Sequence, residues 1–306
     1  MSYPFRIVLL GSTILCASAG LIGAFMMLRR RSLISDVVGH SALPGLAIAF
    51  LLGEAQAAGT GQQPGRLMFG AMLSGLLGAV AVMVIDRTSR LKADAALAIV
   101  LSVFYGAGAA LFTVVQSVPT GNAAGLSDYL SGKTASLMAA DVTLFAIVGG
   151  GLLAVTLVLF KELTLLCFDA DFAAAQGWPV RSLDALLTGL VVGVTILGMQ
   201  SVGLILVVAT LVIPPTAARF WTDDMRVLAA LSGAIGAAAA VCGIVISARV
   251  ENIATGPVIV LAAAAIFGVS VLLGTRRGVL RNRGVEGLEP VDPSSSVAAY
   301  TPPTSS

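Results

Sequence analysis

Charge is what this sequence has least of. Of its 306 residues only 11% are charged and 6% aromatic, with one histidine and three cysteines. A water-soluble domain carries roughly 25% charged residues, because its surface must face water. About half that share leaves too little polar surface to cover a soluble globule of this size, which excludes an ordinary soluble fold. The cysteines, Cys16, Cys167 and Cys242, are odd in number and far apart. That excludes a disulfide framework or a zinc cluster, and they read as small apolar residues. Catalytic signatures are missing too. There is no G-x-S-x-G elbow and no Cys–His pair within one apolar run. Gly132-Lys133-Thr134 looks like the end of a phosphate-binding loop, but Ser127 stands where that loop needs glycine. The chain therefore carries no energy source or enzymatic centre of its own. The net charge of +2 gives no basis for a nucleic-acid partner.

What is present is apolar. Hydrophobic residues make up 57% of the chain, and mean hydropathy is +0.97. Runs of about 20 apolar residues cross a bilayer as helices, because a helix satisfies its own backbone hydrogen bonds. Such runs lie near 7–28, 33–53, 66–85, 97–115, 142–160, 183–199, 202–220, 227–248 and 257–274. Only Met199-Gln200-Ser201 separates the sixth from the seventh, so the pattern predicts an all-α, polytopic membrane bundle of eight or nine transmembrane helices. The first run is too long for a cleaved signal peptide and ends in Arg29-Arg30-Arg31 rather than at a small-residue cleavage site.

Lys and Arg set the orientation. With nine crossings and the 29–32 turn inside, fourteen of the 18 basic residues fall on the cytoplasmic side. Arg6, Arg66, Lys133 and Arg249 fall outside. This predicts an external N-terminus and a cytoplasmic C-terminus. Residues 1–285 read as one transmembrane domain. The tail 286–306 is rich in Pro, Ser and Thr and reads as a disordered cytoplasmic extension. The outer segment 116–141 is long and semi-polar, suited to an interfacial helix or short plug.

Inside the spans the ionisable residues are few: Asp36 and His40, with Asp184 at an edge. A charge in hydrocarbon is expensive, so such residues face a bundle interior or a water-filled path. The spacing i, i+4 puts Asp36 and His40 on one helix face, one turn apart. His40 stands roughly 13 Å beyond Arg31, near the middle of a core about 30 Å thick. A carboxylate beside an imidazole is half of an N/O site for a divalent first-row metal, and two copies in a dimer would double it. The alternative is structural: Ser35 or Asp36 caps the second span, and His40 is a hydrogen-bonded packing residue.

The inner segment 161–182 is too polar to cross. Asp169 and Asp171 precede Phe172 and Ala173, and Gly177-Trp178-Pro179 ends the run. The pattern predicts a short amphipathic helix, capped by acid and stopped by Gly and Pro. Its exposed Phe168 and Phe172 suit a groove on a partner protein or, alternatively, the bilayer surface. Pro214-Pro215 interrupts the seventh span, where it can break the helix. Gly189/Gly193 and Gly75/Ala79 are small-xxx-small pairs suited to close helix crossings.

Four stretches taken in order resemble the ABC-type manganese/zinc/iron permease family, over roughly residues 7 to 274. In GLIGAFMMLRRRSLISDVVGHSALPGLAIAFLLG, Asp36, His40, Pro44 and Gly45 match the family's pattern, while Ser35 replaces its usual Gly. FDADFAAAQGWPVRSLD is similar to the family's cytoplasmic coupling helix, and VGLILVVATLVIPPTAARF and TGPVIVL to two further recurring stretches. The resemblance implies the permease subunit of an importer in the bacterial inner membrane. Asp36 and His40 would line the metal path. Phe168, Asp169, Phe172, Ala173 and Gly177 would couple the permease to an ATP-binding subunit. It further implies a second permease subunit, identical or not, and an extracytoplasmic metal-binding protein. No permanent cofactor is implied; the metal is cargo. GLSDYLSGKTASL resembles manganese- or iron-type members, and the fourth span lacks the second histidine frequent in zinc-type members. Manganese is favoured, with zinc or iron as the other candidates. The alternative function is a proton-coupled secondary metal transporter acting without an ATPase.

The topology is directly testable. A reporter fused after Arg277 is expected to read cytoplasmic, and one placed within residues 120–130 external. Both reporting the same side would refute the span count.

Overall fold

The computed structural model describes residues 3–29, 31, 33–57, 61–118, 143–249 and 255–276. Most of the outer segment 116–141 and all of the tail from 286 lie outside these residues, and with them the expectations made for them.

Everything regular among the described residues is helical. The elements are α1 (Tyr3–Leu28), α2 (Ile34–Gln56), α3 (Pro64–Thr88), α4 (Ala93–Gln116), α5 (Phe145–Val158), α6 (Phe160–Phe168) and α7 (Ala170–Ala175). They continue with α8 (Val180–Val202), α9 (Leu204–Arg219), α10 (Met225–Ser247) and α11 (Thr255–Leu273). Seven of these, α1 to α4, α8, α10 and α11, are long and apolar enough to cross a membrane. The pair α5 and α6, bent by 65° at a break, makes an eighth if counted as one span. The seventh predicted run, α9, is a helix of only 16 residues. At 1.5 Å per residue it reaches about 24 Å, short of a hydrocarbon core. It is short because the chain turns at Gly203, whose φ of +87° is a conformation that glycine adopts without a Cβ clash.

Helix starts follow the sequence chemistry. Pro64 opens α3 in its first turn, where its missing N–H would have had no partner. Asp224 caps α10, its carboxylate accepting from the backbone N–H groups of Arg226 (2.7 Å) and Val227 (3.4 Å). The peripheral helices turn large apolar side chains outward, among them Phe69, Leu73, Ile99 and Leu261. In a soluble protein that surface would be a liability; here lipid covers it.

Lipid tails are as apolar as Leu, so helices associate by close packing rather than by expulsion of water. The α2–α3 crossing is the clearest case. A Cβ on Gly45 would overlap the carbonyl oxygen of Gly70, and a Cβ on Gly70 would lie 2.5 Å from the carbonyl oxygen of Gly45. One turn away, Ser74 Oγ donates to the carbonyl of Ser41 at 2.6 Å. Of the small-residue pairs read from sequence, Gly75 packs on Val38 and Ile196 and Ala79 is buried, but Gly189 meets nothing and Gly193 meets only the side chain of Leu152. That pair does not form a helix–helix backbone contact.

Pro214-Pro215 does not break its helix; α9 runs through both. Pro215 cannot donate to the carbonyl of Leu211, and α1 closes over that oxygen: a Cβ on Gly23 would overlap it. The Thr216 hydroxyl adds a bond to the Val212 carbonyl at 2.5 Å.

Segments sorted by sequence to the basic side meet at one end of the bundle. Arg29 and Arg31 reach Asp184, Arg31 reaches Asp86, and the backbone N–H of Arg276 donates to Phe220. Lys161 and Arg226 line one groove there.

The α2–α3 contact predicts a contrast. Gly45→Ala should destabilise the detergent-solubilised protein by about 1–3 kcal/mol through overpacking. Gly189→Ala should be neutral, or stabilising by up to about 1 kcal/mol through helix propensity. Equal melting temperatures for the two variants would refute the close-approach account.

Candidate functional site

The first turn of α2 places the pair singled out in the sequence. Its N-cap is Leu33, which has no side chain able to cap. Asp36 therefore does not cap the helix as its N-cap residue. It sits inside the first turn, where a carboxylate is favoured by the helix dipole. His40 follows one turn later, and its Nε2 approaches Asp36 Oδ1 to 3.4 Å. The side chains are 26% (His40) and 36% (Asp36) exposed, so both are reachable and neither is sealed in the core. His40 Nδ1 is buried without a hydrogen-bond partner.

Both line a cavity of about 470 Å³ between α2 and α9. The opposite wall is Leu204, Ile205, Val208, Ala209, Val212 and Ile213, all aliphatic. Leu33 completes the lining, so Asp36 and His40 are its only polar side chains. The Gly203 turn sets this geometry. It starts α9 beside the middle of the first turns of α2, with the Leu204 side chain packed against Gly39. Tyr105 of α4 stands against the other side of His40, rings edge to face with centroids 5.1 Å apart. Sequence reasoning missed both the α9 wall and Tyr105, since neither carries a local signature pointing to His40.

Among the described residues no three His, Cys, Asp or Glu side chains gather at one point. One chain thus brings two metal donors together, a carboxylate and an imidazole. A divalent first-row ion needs more ligands than this, from water or a further chain.

The second candidate region, 161–182, is two short helices and the start of a third rather than one. α6 carries Phe168 at its end, 61% exposed. Asp169 then caps α7, its Oδ1 accepting from the Phe172 N–H at 2.8 Å. Phe172 is 51% exposed, whereas Ala173 is fully buried and seats α7 on the bundle. Gly177, at φ +87°, ends the segment, and Val180 already belongs to α8. Phe168 at the end of α6 and Phe172 on the capped, seated α7 thus leave two phenyl rings exposed.

The sequence profile described as the ABC 3 transport family matches residues 2–274. The chain belongs to the ABC 3 transport family. Members are transport permeases, and ATP is hydrolysed on a separate subunit. The zinc transport system membrane protein TroC of Treponema pallidum is 42% identical over 279 residues, 91% of each chain. The manganese transport system membrane protein MntC of Bacillus subtilis is 40% identical over 273 residues, 89% of this chain and 61% of that one. Among solved structures, PsaBC from Streptococcus pneumoniae in complex with Fab superposes with a TM-score of 0.78 at 31% identity, covering 92% of this chain and 96% of the matched one. An ABC 3 permease accounts for the shortage of charge and the multi-pass helical fold.

Proposed function

We propose that this permease carries a divalent metal ion inward across the bacterial inner membrane, manganese in preference to zinc or iron, along a path lined by Asp36 and His40. One observation carries the reading. The only carboxylate and imidazole paired within a span stand side by side on the wall of a cavity. The carboxylate supplies the negative potential that draws a cation into a low-dielectric passage. The imidazole supplies a borderline nitrogen ligand that a first-row metal accepts and an alkali ion does not. The named relatives differ in metal, so the preference for manganese rests on the donor set. One imidazole and one carboxylate per chain, with no second histidine on α4, is a harder site than zinc favours.

In this reading a second permease subunit completes the passage, an extracytoplasmic binding protein delivers the ion, and the C-terminus lies in the cytoplasm. The α6–α7 segment docks an ATP-binding subunit through Phe168 and Phe172, with Asp169 and Gly177 shaping the docking helix and Ala173 seating it. Residues 1–285 act as one transport domain, and the tail 286–306 is a dispensable extension.

Uptake of radiolabelled manganese, normalised to assembled complex, tests the path. Asp36→Asn and His40→Ala should each lower uptake by at least about tenfold, the scale on which even outer-shell partners of metal ligands matter. Both variants should still fold and bind the ATPase, and His40→Ala should penalise zinc more than manganese. Near-normal transport per complex in both would refute the assignment.

The docking reading has its own test. Asp at both Phe172 and Gly177 should release the ATP-binding subunit, because a charge in an apolar interface is left unpaired. Intact co-purification with normal ATPase stimulation would show that the subunit docks elsewhere.

A further inference from the structure

At the basic end of the bundle four charged side chains form a single connected network. Arg29 Nη2 donates to Asp184 Oδ1 at 2.8 Å, and Arg31 Nη1 to Asp184 Oδ2 at 3.1 Å. The other guanidinium nitrogen of Arg31 reaches Asp86 Oδ2 at 2.8 Å. Arg29 Nη1 donates to the carbonyl of Leu166 at 3.2 Å. The side chain of Asp184 is only 9% exposed, and those of the two arginines about a fifth. Two guanidiniums against two carboxylates leave the group neutral overall. Neutrality explains why it can be partly buried, but does not by itself explain which elements it joins.

Those elements are the informative part. Leu166 lies on α6, three residues before the Asp169 cap of α7. Asp184 lies in α8 and Asp86 near the end of α3. Arg31 lies in the turn before α2. Its own N–H donates to the Met26 carbonyl at 3.1 Å, and its carbonyl accepts from Ile34, the first residue of α2, at 3.0 Å. Asp36 follows two residues later. An unbroken line of hydrogen bonds thus runs from α6 through Arg29, Asp184 and Arg31 to the first turn of α2. Apolar helix faces can slide on one another by small shear steps. Charge-assisted hydrogen bonds are directional and roughly twice as strong as neutral ones, so elements they join resist sliding apart.

We propose that the Arg29–Asp184–Arg31–Asp86 network is the mechanical link that carries movement of α6 and α7 to the first turn of α2. Arg29, Arg31 and Asp184 are then positioning residues for transport: they touch no ion but set where Asp36 and His40 stand while ATP is hydrolysed. The link rests on the reading that α6–α7 docks the ATPase and that Asp36 and His40 line the path. Asp184→Asn keeps the shape but leaves two guanidiniums facing an amide. Arg29→Lys keeps the charge but loses the fork that spans Asp184 and the Leu166 carbonyl.

The test uses the assembled complex with its ATP-binding subunits in proteoliposomes. Three quantities are read: manganese uptake, ATP hydrolysed per ion moved, and manganese bound in the absence of ATP. Asp184→Asn should raise ATP consumed per ion by about tenfold, within the usual range of coupling between sites. Arg29→Lys should move the ratio in the same direction by less. Manganese binding without ATP should stay within about twofold of wild type in both, which a general loss of structure would not allow. A wild-type ratio in assembled Asp184→Asn overturns the proposal. If that variant does not assemble, a wild-type ratio in Arg29→Lys overturns it instead. Asp36→Asn, measured alongside, separates the two readings. If it transports normally while Asp184→Asn wastes ATP, the path assignment fails and with it the positioning of Asp36 and His40, while the network still couples ATP hydrolysis to transport. If it loses transport while both network variants stay coupled, the path stands and the link fails.

Discussion

A charged group inside hydrocarbon has no water to solvate it, and the whole arrangement of this protein follows from that constraint. Helices are the only regular structure among the described residues because they leave no backbone group unsatisfied. The partly buried charges at the basic end are held in pairs: Asp184 takes two arginines, and the second of these is shared with Asp86. Against that background Asp36 and His40 stand out. They approach each other, yet both side chains line a cavity, and the buried Nδ1 of His40 has no partner. Asp184 is closed off by two arginines, whereas this pair faces open space, as the proposed passage of a cation needs.

The same shortage of water removes the usual force that holds helices together. Backbones must therefore come close, and the glycines of α2 and α3 allow it at Gly45 and Gly70. This contact has a functional side. It fixes the helix that carries Asp36 and His40 against α3, while the charge network fixes the start of the same helix against α8. Helix α2 is thus anchored at two heights, above and below the pair it presents.

Most of the architecture was legible in the sequence because hydropathy and helix length are local properties. Eight of the nine apolar runs became long helices or the bent pair, and the Asp169 cap and Gly177 stop followed from residue chemistry alone. Three features were not legible. The length of α9 depends on the backbone turning at Gly203, and glycine in a membrane helix gives no warning whether it will turn or continue. The persistence of α9 through Pro214-Pro215 depends on α1 covering a freed carbonyl, which is a long-range contact. Asp184 looked like an edge residue, since its partners lie about 150 positions away in the chain. The site divides in the same way. Asp36 and His40 announce themselves by i, i+4 spacing, whereas Tyr105 and the wall from α9 come from elsewhere in the fold.

That aliphatic wall has an electrical meaning. A membrane that stores a proton gradient cannot tolerate a continuous file of water through a transporter, because protons hop along such files faster than any metal ion moves. Five branched side chains and one alanine along α9 offer water no hydrogen bond over the length of the cavity. In the proposed path, one side of the cavity would hold the ion while the other insulates.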